Sequence, residues 1–396
     1  YSYTRGNNKT IRNCNVSFCG VTGIQIVGWH SSVSDCTIDN CNNYGIDQQD
    51  NNKYCLIHGC TISNIGTLIG MGIAGGYIGI NSGGNFNHAL TIENNTITNC
   101  GFNGTSLMGD SVIIKNNYVD TFCNLMSDGG GIYISNAARP NANQIIGNIV
   151  LNGGLTQGAN YGTPWVGQPV EAMGIYCDIL TDNYKILNNT SAFVARGILT
   201  ASIADVDIQY NTIYETTEDA LTLAGGIYNG NTNNIVKNNT IVQKSKNSLA
   251  LFITNSATDD TPAMADFDYN IYARPIDDYS TRESWEMPIY CKVMGSTPHG
   301  QNFRSFEQWK SFSGKESHST KSPQLALSTN DFQFEYNNTL VTKTISLTRQ
   351  MIDMKGVKYA SSIILQPFTS AVLIKDNNPS GVFRLFSSGN RQWKFK

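Results

Sequence analysis

The sequence predicts an all-β fold, a right-handed parallel β-helix (a solenoid of at least ten coils) with a small C-terminal β-module. Three observations predict it. One motif recurs: two alternating apolar residues, a short polar pair, Asn or Cys, and another apolar residue, as in Ile92-Glu-Asn-Asn95-Thr-Ile97. Its centres are Cys14, Cys36, Cys60, Asn95, Asn117, Asn148, Asn189, Asn211, Asn239 and Asn270, spaced 22, 24, 35, 22, 31, 41, 22, 28 and 31 residues apart. A Gly-Ile pair or a variant recurs once per period, from Gly23-Ile24 to Ala250-Leu251. Short alternating strands repeating every ~22 residues make the coils of a parallel β-helix, and the crossover rule sets the right hand.

Each coil carries about three short strands with one face inward. Asn at the repeated turn tolerates the left-handed conformation, and stacked Asn side chains can hydrogen-bond along a ladder. Cys14, Cys36 and Cys60 occupy that place in the first three copies, with Cys19 and Cys41 as a second stack. They read as small buried hydrophobes rather than disulfides. Glycine-rich and aromatic insertions at about 63–88 and 152–169 should wall one side of the solenoid; the second carries Tyr161 and Trp165. The coils fill residues 1–275. Residues 276–325 form a connecting segment with a short helix at Ser305–Ser313, and residues 326–375 a β-module expected to cap the last coil. Residues 376–396 have no assignment.

Composition narrows the function. Charged residues are only 14%, 46 residues are Asn, and the net charge is -3. This balance argues against nucleic acid as the main partner. No apolar run reaches the ~18 residues of a membrane span. The ten Cys form no zinc spacing, and neither glycine-rich loop carries a phosphate-binding pattern. Residues 1–275 hold 12 basic against 20 acidic residues, and residues 276–396 hold 15 against 10. The chain begins at Tyr1 without a signal sequence, which reads as a truncation or a mature N-terminus. High Asn and low charge point to a secreted or cell-surface protein, expected to be a monomer.

The Asn-Asn-Thr-Ile coils, Gly129-Gly-Gly-Ile-Tyr133 and Gly174-Ile-Tyr-Cys-Asp178 resemble the pectate-lyase-like right-handed β-helix superfamily of carbohydrate-active proteins. Trp309–Gly314 and Leu365–Ile374 are similar to the C-terminal module of secreted Bacteroidetes-type β-helix proteins. The resemblance spans residues 7–375 and implies a polysaccharide or oligosaccharide partner. Neither a lyase's Ca²⁺ and Arg signature nor the aspartate triad of polygalacturonase-like hydrolases can be matched residue by residue.

Aligning coils on the Gly of Gly-Ile places Asp128 and Glu171 three residues before Gly131 and Gly174, so they should stack at one corner. Carboxylates ~5 Å apart suit a retaining glycosidase, and their repulsion raises one pKa toward that of a general acid. Asp178 is the third catalytic candidate. Strand alternation turns Asp47, Tyr133 and Tyr176 outward as a sugar-binding stripe, with Trp165 on the adjacent loop and Arg196 beside its Gly-Ile. Glu218 and Asp219 read as a solvated turn. A glycoside hydrolase without metal or cofactor is expected. The alternatives are a uronate lyase, which would bring Ca²⁺, and a non-catalytic glycan-binding surface protein.

Overall fold

The computed structural model describes residues 2–49, 51–72, 75–84, 87–135, 142–154, 159–160, 163–164, 171–178, 182–201, 204–225, 233–244, 248–255, 261–276, 289–293 and 302–378. Three long sheets run beside one another along the chain. The first has twelve strands, from Ser2–Arg5 through Thr22–Val27 and Gly129–Ile134 to Ile289–Val293 and Asn302–Arg304. The second (Thr10–Arg12 to Asp266–Asp268) and third (Asn15–Ser17 to Ile271–Ala273) have ten each. Each strand pairs in parallel with its equivalent one coil away, except that Asn302–Arg304 is antiparallel to Ile289–Val293, the sole such pair in these three sheets among the described residues. This is a parallel β-helix, as the period of the sequence implies.

The register shows why the motifs recur. Ile24, Ile46 and Ile80 pair in one column of the first sheet, as do Ile132, Ile175, Ile198, Leu221 and Leu251 further along, all with no exposed surface. The glycine before them is a steric requirement. A Cβ on Gly79 would lie 2.6 Å from both the Gly104 carbonyl oxygen and Ile97 Cγ2. Left-handed residues turn the chain: Asn94, Asn116, Asn188 and Asn238 between the second and third sheets, and Asn40, Asn64, Asn99 and Asn152 one residue before the end of their third-sheet strands.

The Asn centres form a continuous buried ladder. The amide N–H of Asn95 donates to Asn117 Oδ1 (3.0 Å), and the same step links Asn117 to Asn148, Asn148 to Asn189, Asn189 to Asn211, Asn211 to Asn239 and Asn239 to Asn270. Cys60 enters the ladder by donating its N–H to Asn95 Oδ1 at 2.9 Å. The nine cysteines whose side chains are described are free thiols, and eight of them are buried. Burial pushes the Cys60 and Cys100 thiols up to about 12, so they behave as packing groups.

The C-terminal end is closed differently from the expectation. Helix α1 (Phe306–Ser313) starts with a capping box at Ser305 and Gln308 and ends on left-handed Gly314. It buries Trp309 edge-on to Phe267 (5.5 Å) and Phe306 against Tyr272 (5.8 Å). Beyond it, Ser319 Oγ accepts the Asn270 N–H (2.8 Å), and buried Glu316 accepts from Tyr272 (2.6 Å), Asn270 and Ser319. The ladder therefore ends on a buried carboxyl group, which burial drives above its ordinary pKa despite these donors.

The β-module does not cap the last coil. It contains a four-stranded antiparallel sheet (Phe332–Asn337, Thr369–Lys375, Met351–Asp353, Lys358–Tyr359) and a ribbon of Lys343–Ser346 with Ser362–Leu365. It lies along the outer face of the third sheet, where Phe332, Phe334, Ile352, Phe368, Val372 and Ile374 cover Ile149, Leu151, Ala192, Tyr214, Val242 and Ala273. Phe334 stacks on Tyr214 (5.1 Å) and meets Phe193 edge-on (5.5 Å). Outward positions on the earlier third-sheet strands are polar (Thr37, Asp39, Thr61, Ser63), so the apolar face that begins at Tyr118 selects the docking site.

Candidate functional site

The corner between the third and first sheets collects charge over four consecutive coils. Asp128 immediately precedes the strand Gly129–Ile134 in a left-handed conformation (φ 64°), and Glu171 immediately precedes Ala172–Cys177. The strands pair Gly129 with Ala172, and the Asp128 N–H donates to the Glu171 carbonyl at 2.8 Å. Ser127 Oγ in turn accepts the Glu171 N–H at 2.8 Å. Both acidic residues are half-buried. Their backbones are neighbours at the ~4.8 Å strand spacing.

Arg196 lies in the next coil, paired with Met173 on one side. Its guanidinium reaches back to Glu171 Oε1 (3.6 Å) and forward to Glu218 Oε2 (2.7 Å) and Asp219 Oδ2 (3.3 Å). One cation is thus shared among three carboxylates. Asp128 stands at the end of this string, and burial, reinforced by Glu171 and Asp178, raises its pKa against the pull of Arg196. Burial pushes Asp219 up to about 6, with Arg196 pulling it down and Glu218 adding to the rise.

The outward stripe runs beside this string. Tyr133 and Tyr176 are paired neighbours, their rings edge-to-face at 5.2 Å. Tyr176 packs with Met173 and Leu199. Asp178, just past the strand, accepts the Tyr133 hydroxyl at 2.8 Å. Burial, reinforced by the negative charge of Asp178, holds the Tyr176 hydroxyl far above its ordinary pKa.

The structure brings together Asp128, Glu171, Asp178, Tyr133, Tyr176 and Arg196. Asp47 lies on the same outward column but is 5% exposed, receiving Gln25 Nε2 at 2.9 Å and Asn81 Nδ2 at 2.8 Å. Its carboxylate is an internal rung between two amides rather than an open sugar contact. Trp165 lies outside the described residues. The reading of Glu218 and Asp219 as a solvated turn is corrected: Asp219 starts the strand Asp219–Gly225, is 7% exposed and holds Arg196. The repeat carried that signal, since Asp219 precedes Ala220-Leu221 as Arg196 precedes Gly197-Ile198.

Among the described residues, no three His, Cys, Asp or Glu side chains converge as a metal set, and no helix is long and apolar enough to cross a membrane. No curated protein matches the sequence. Among solved structures, the Dettilon tailspike protein (gp208) is similar over 88% of this chain and 67% of its own, at 13% identity and a TM-score of 0.36. The family described as right handed beta helix region matches residues 2–77 and 77–259. With its parallel coils and interior ladder, the chain belongs to the right-handed β-helix family.

Proposed function

We propose that this is a secreted or cell-surface polysaccharide-degrading enzyme, a glycoside hydrolase whose catalytic pair is Asp128 and Glu171. One observation carries the reading: two carboxyl groups on adjacent coils sit in opposed environments. Asp128 is driven toward its protonated form by burial and by the neighbouring carboxylates, whereas Glu171 has a guanidinium counter-charge 3.6 Å away. Such divergence separates a proton donor from a carboxylate in glycosidases. Asp128 protonates the glycosidic oxygen as the bond to the leaving sugar breaks. Glu171 attacks the anomeric carbon, and water then releases the glycosyl group while Asp128 takes back a proton. Adjacent-coil placement favours this short-gap, retaining course.

Arg196, held from the far side by Glu218 and Asp219, positions the Glu171 carboxylate. Half-buried Tyr133 offers a ring face and Asp178 an acceptor to the sugar units, with Tyr176, 8% exposed, packed edge-on behind as support. Three carboxylates around one guanidinium, with Asp178 nearby, repel an anionic unit at the scissile linkage, which favours hydrolysis over uronate elimination there. Activity should fall as pH rises through the raised pKa of Asp128, because the donor loses its proton.

The test is a polysaccharide panel scored for reducing ends and for absorbance of unsaturated uronates. Reducing ends alone support the proposal. Both signals together indicate a lyase, and silence across the panel indicates a binding protein; either overturns it.

A further inference from the structure

A second surface, at the opposite end of the first-sheet strands, collects exposed aromatic rings around a cation. Trp29, Lys53, His88 and Asp110 are bridged in register, one per coil. The residues following the first two, His30 and Tyr54, sit in the left-handed conformation (φ 53° and 55°), as Ala89 and Ser111 do in the next two coils.

Hydrogen bonds tie the corner to the neighbouring coils. Buried Asn52 and Asn87 hold it from inside: Gly28 N–H donates to Asn52 Oδ1 (2.7 Å) and Asn52 N–H to Asn87 Oδ1 (2.9 Å). The His30 and Tyr54 amides donate to the Lys53 and His88 carbonyls at 2.8 and 2.9 Å. On this base the His30 and Tyr54 rings lie flat on one another (4.9 Å, 8°), and His88 meets Tyr54 edge-on (5.3 Å). Trp29 is 44% exposed and Tyr54 51%. Lys53 Nζ stands 5.0 Å from the Trp29 ring centre. His88 is paired with Asp110, whereas Lys53 has no ion-pair partner among the described residues.

We propose that this corner binds an acidic sugar unit of the same glycan: Trp29 and Tyr54 take the apolar ring faces, and Lys53 takes the carboxylate or sulfate. The inference rests on the glycan reading above and deepens it. The strip occupies the coils of Trp29 to Asp110, and the carboxylate string begins in the next coil, at Asp128. The substrate is then a heteropolysaccharide: a neutral linkage meets the acidic string while a charged unit a few sugars away meets the strip.

Binding is measured by calorimetry and tryptophan fluorescence on E171Q protein, with oligogalacturonates and chondroitin sulfate oligomers against neutral manno-oligosaccharides. Acidic oligomers should bind more tightly than neutral ones, with affinity falling as salt rises. Trp29→Ala should weaken binding roughly tenfold or more. Lys53→Gln should erase the preference for acidic oligomers, and Lys53→Arg should keep it. Equal binding of acidic and neutral oligomers, or unchanged affinity in Trp29→Ala, would overturn the strip. If strip binding persists while D128N and E171Q retain turnover on polysaccharide, it is the catalytic pair that fails instead.

Discussion

Asn148→Ala removes one rung of the buried ladder, and its cost can be worked from the bonds lost. Asn148 Oδ1 accepts the Asn117 backbone N–H at 2.9 Å and Asn117 Nδ2 at 3.0 Å. Its Nδ2 donates to the Ile114 carbonyl and to Asn189 Oδ1, both at 2.9 Å. Asn117 Nδ2 and Asn189 Oδ1 keep other partners, the Ile92 carbonyl and the Asn148 N–H. The Asn117 N–H and the Ile114 carbonyl lose this partner in a side-chain site with no exposure. At about 1–3 kcal/mol for each of these two buried groups left unsatisfied, the loss should be about 2–6 kcal/mol, less if a water enters. Urea unfolding followed by circular dichroism measures it. Asn148→Asp should be worse than alanine at neutral pH, because a buried carboxylate would face the Ile114 and Ile146 carbonyls, and should recover at low pH, where it can donate. A loss under about 1 kcal/mol in Asn148→Ala would refute the ladder as a stabilising element.

Three further outcomes follow from the geometry. Gly79→Ala should lower stability by about 1–3 kcal/mol in the same assay, since its Cβ would press on the Gly104 carbonyl and Ile97; wild-type stability would contradict the steric reading. Asp219 titrates at about 6 when folded against an ordinary 3.8, so its contribution favours the fold at low pH and is lost as pH rises through 6. That gap is worth on the order of 3 kcal/mol, so the unfolding free energy of Asp219→Asn should fall less between pH 4 and 7 than that of wild type, and parallel pH profiles would count against it. Phe334→Ala should lose about 2–3 kcal/mol by emptying the contact with Tyr214 and Phe193, and should make the module more sensitive to limited proteolysis; unchanged digestion would count against that docking face.

Much of the fold was legible because a solenoid repeats its physics. The Gly-Ile register pairs Ile24 with Ile46 and Ile132 with Ile175 as counting from the glycine implies, and the outward column of Tyr133 and Tyr176 follows from the same count. The place of the β-module was less legible. Its docking face is written in single outward positions, Ile149, Leu151 and Val242, which look like interior residues unless the sheet face is assigned first. The stacking of Asp128 and Glu171 followed from coil alignment, but the partners of Arg196 did not. A charged pair at a strand start reads as a turn until register shows that Asp219 lies beside Arg196. Asp47 illustrates the converse: an outward direction does not make a side chain available when amides flank it in both neighbouring coils.

The central claim is that Asp128 and Glu171 act as one catalytic pair, and the most direct measurement is the turnover of D128N and E171Q on the polysaccharide that wild type cleaves. Each amide keeps the side-chain shape, and Asn at position 128 tolerates the left-handed backbone there. Each variant should lose two or more orders of magnitude in turnover, the scale of a missing general acid or nucleophile, with an unfolding midpoint close to wild type. Either variant retaining turnover within about tenfold of wild type would contradict the account.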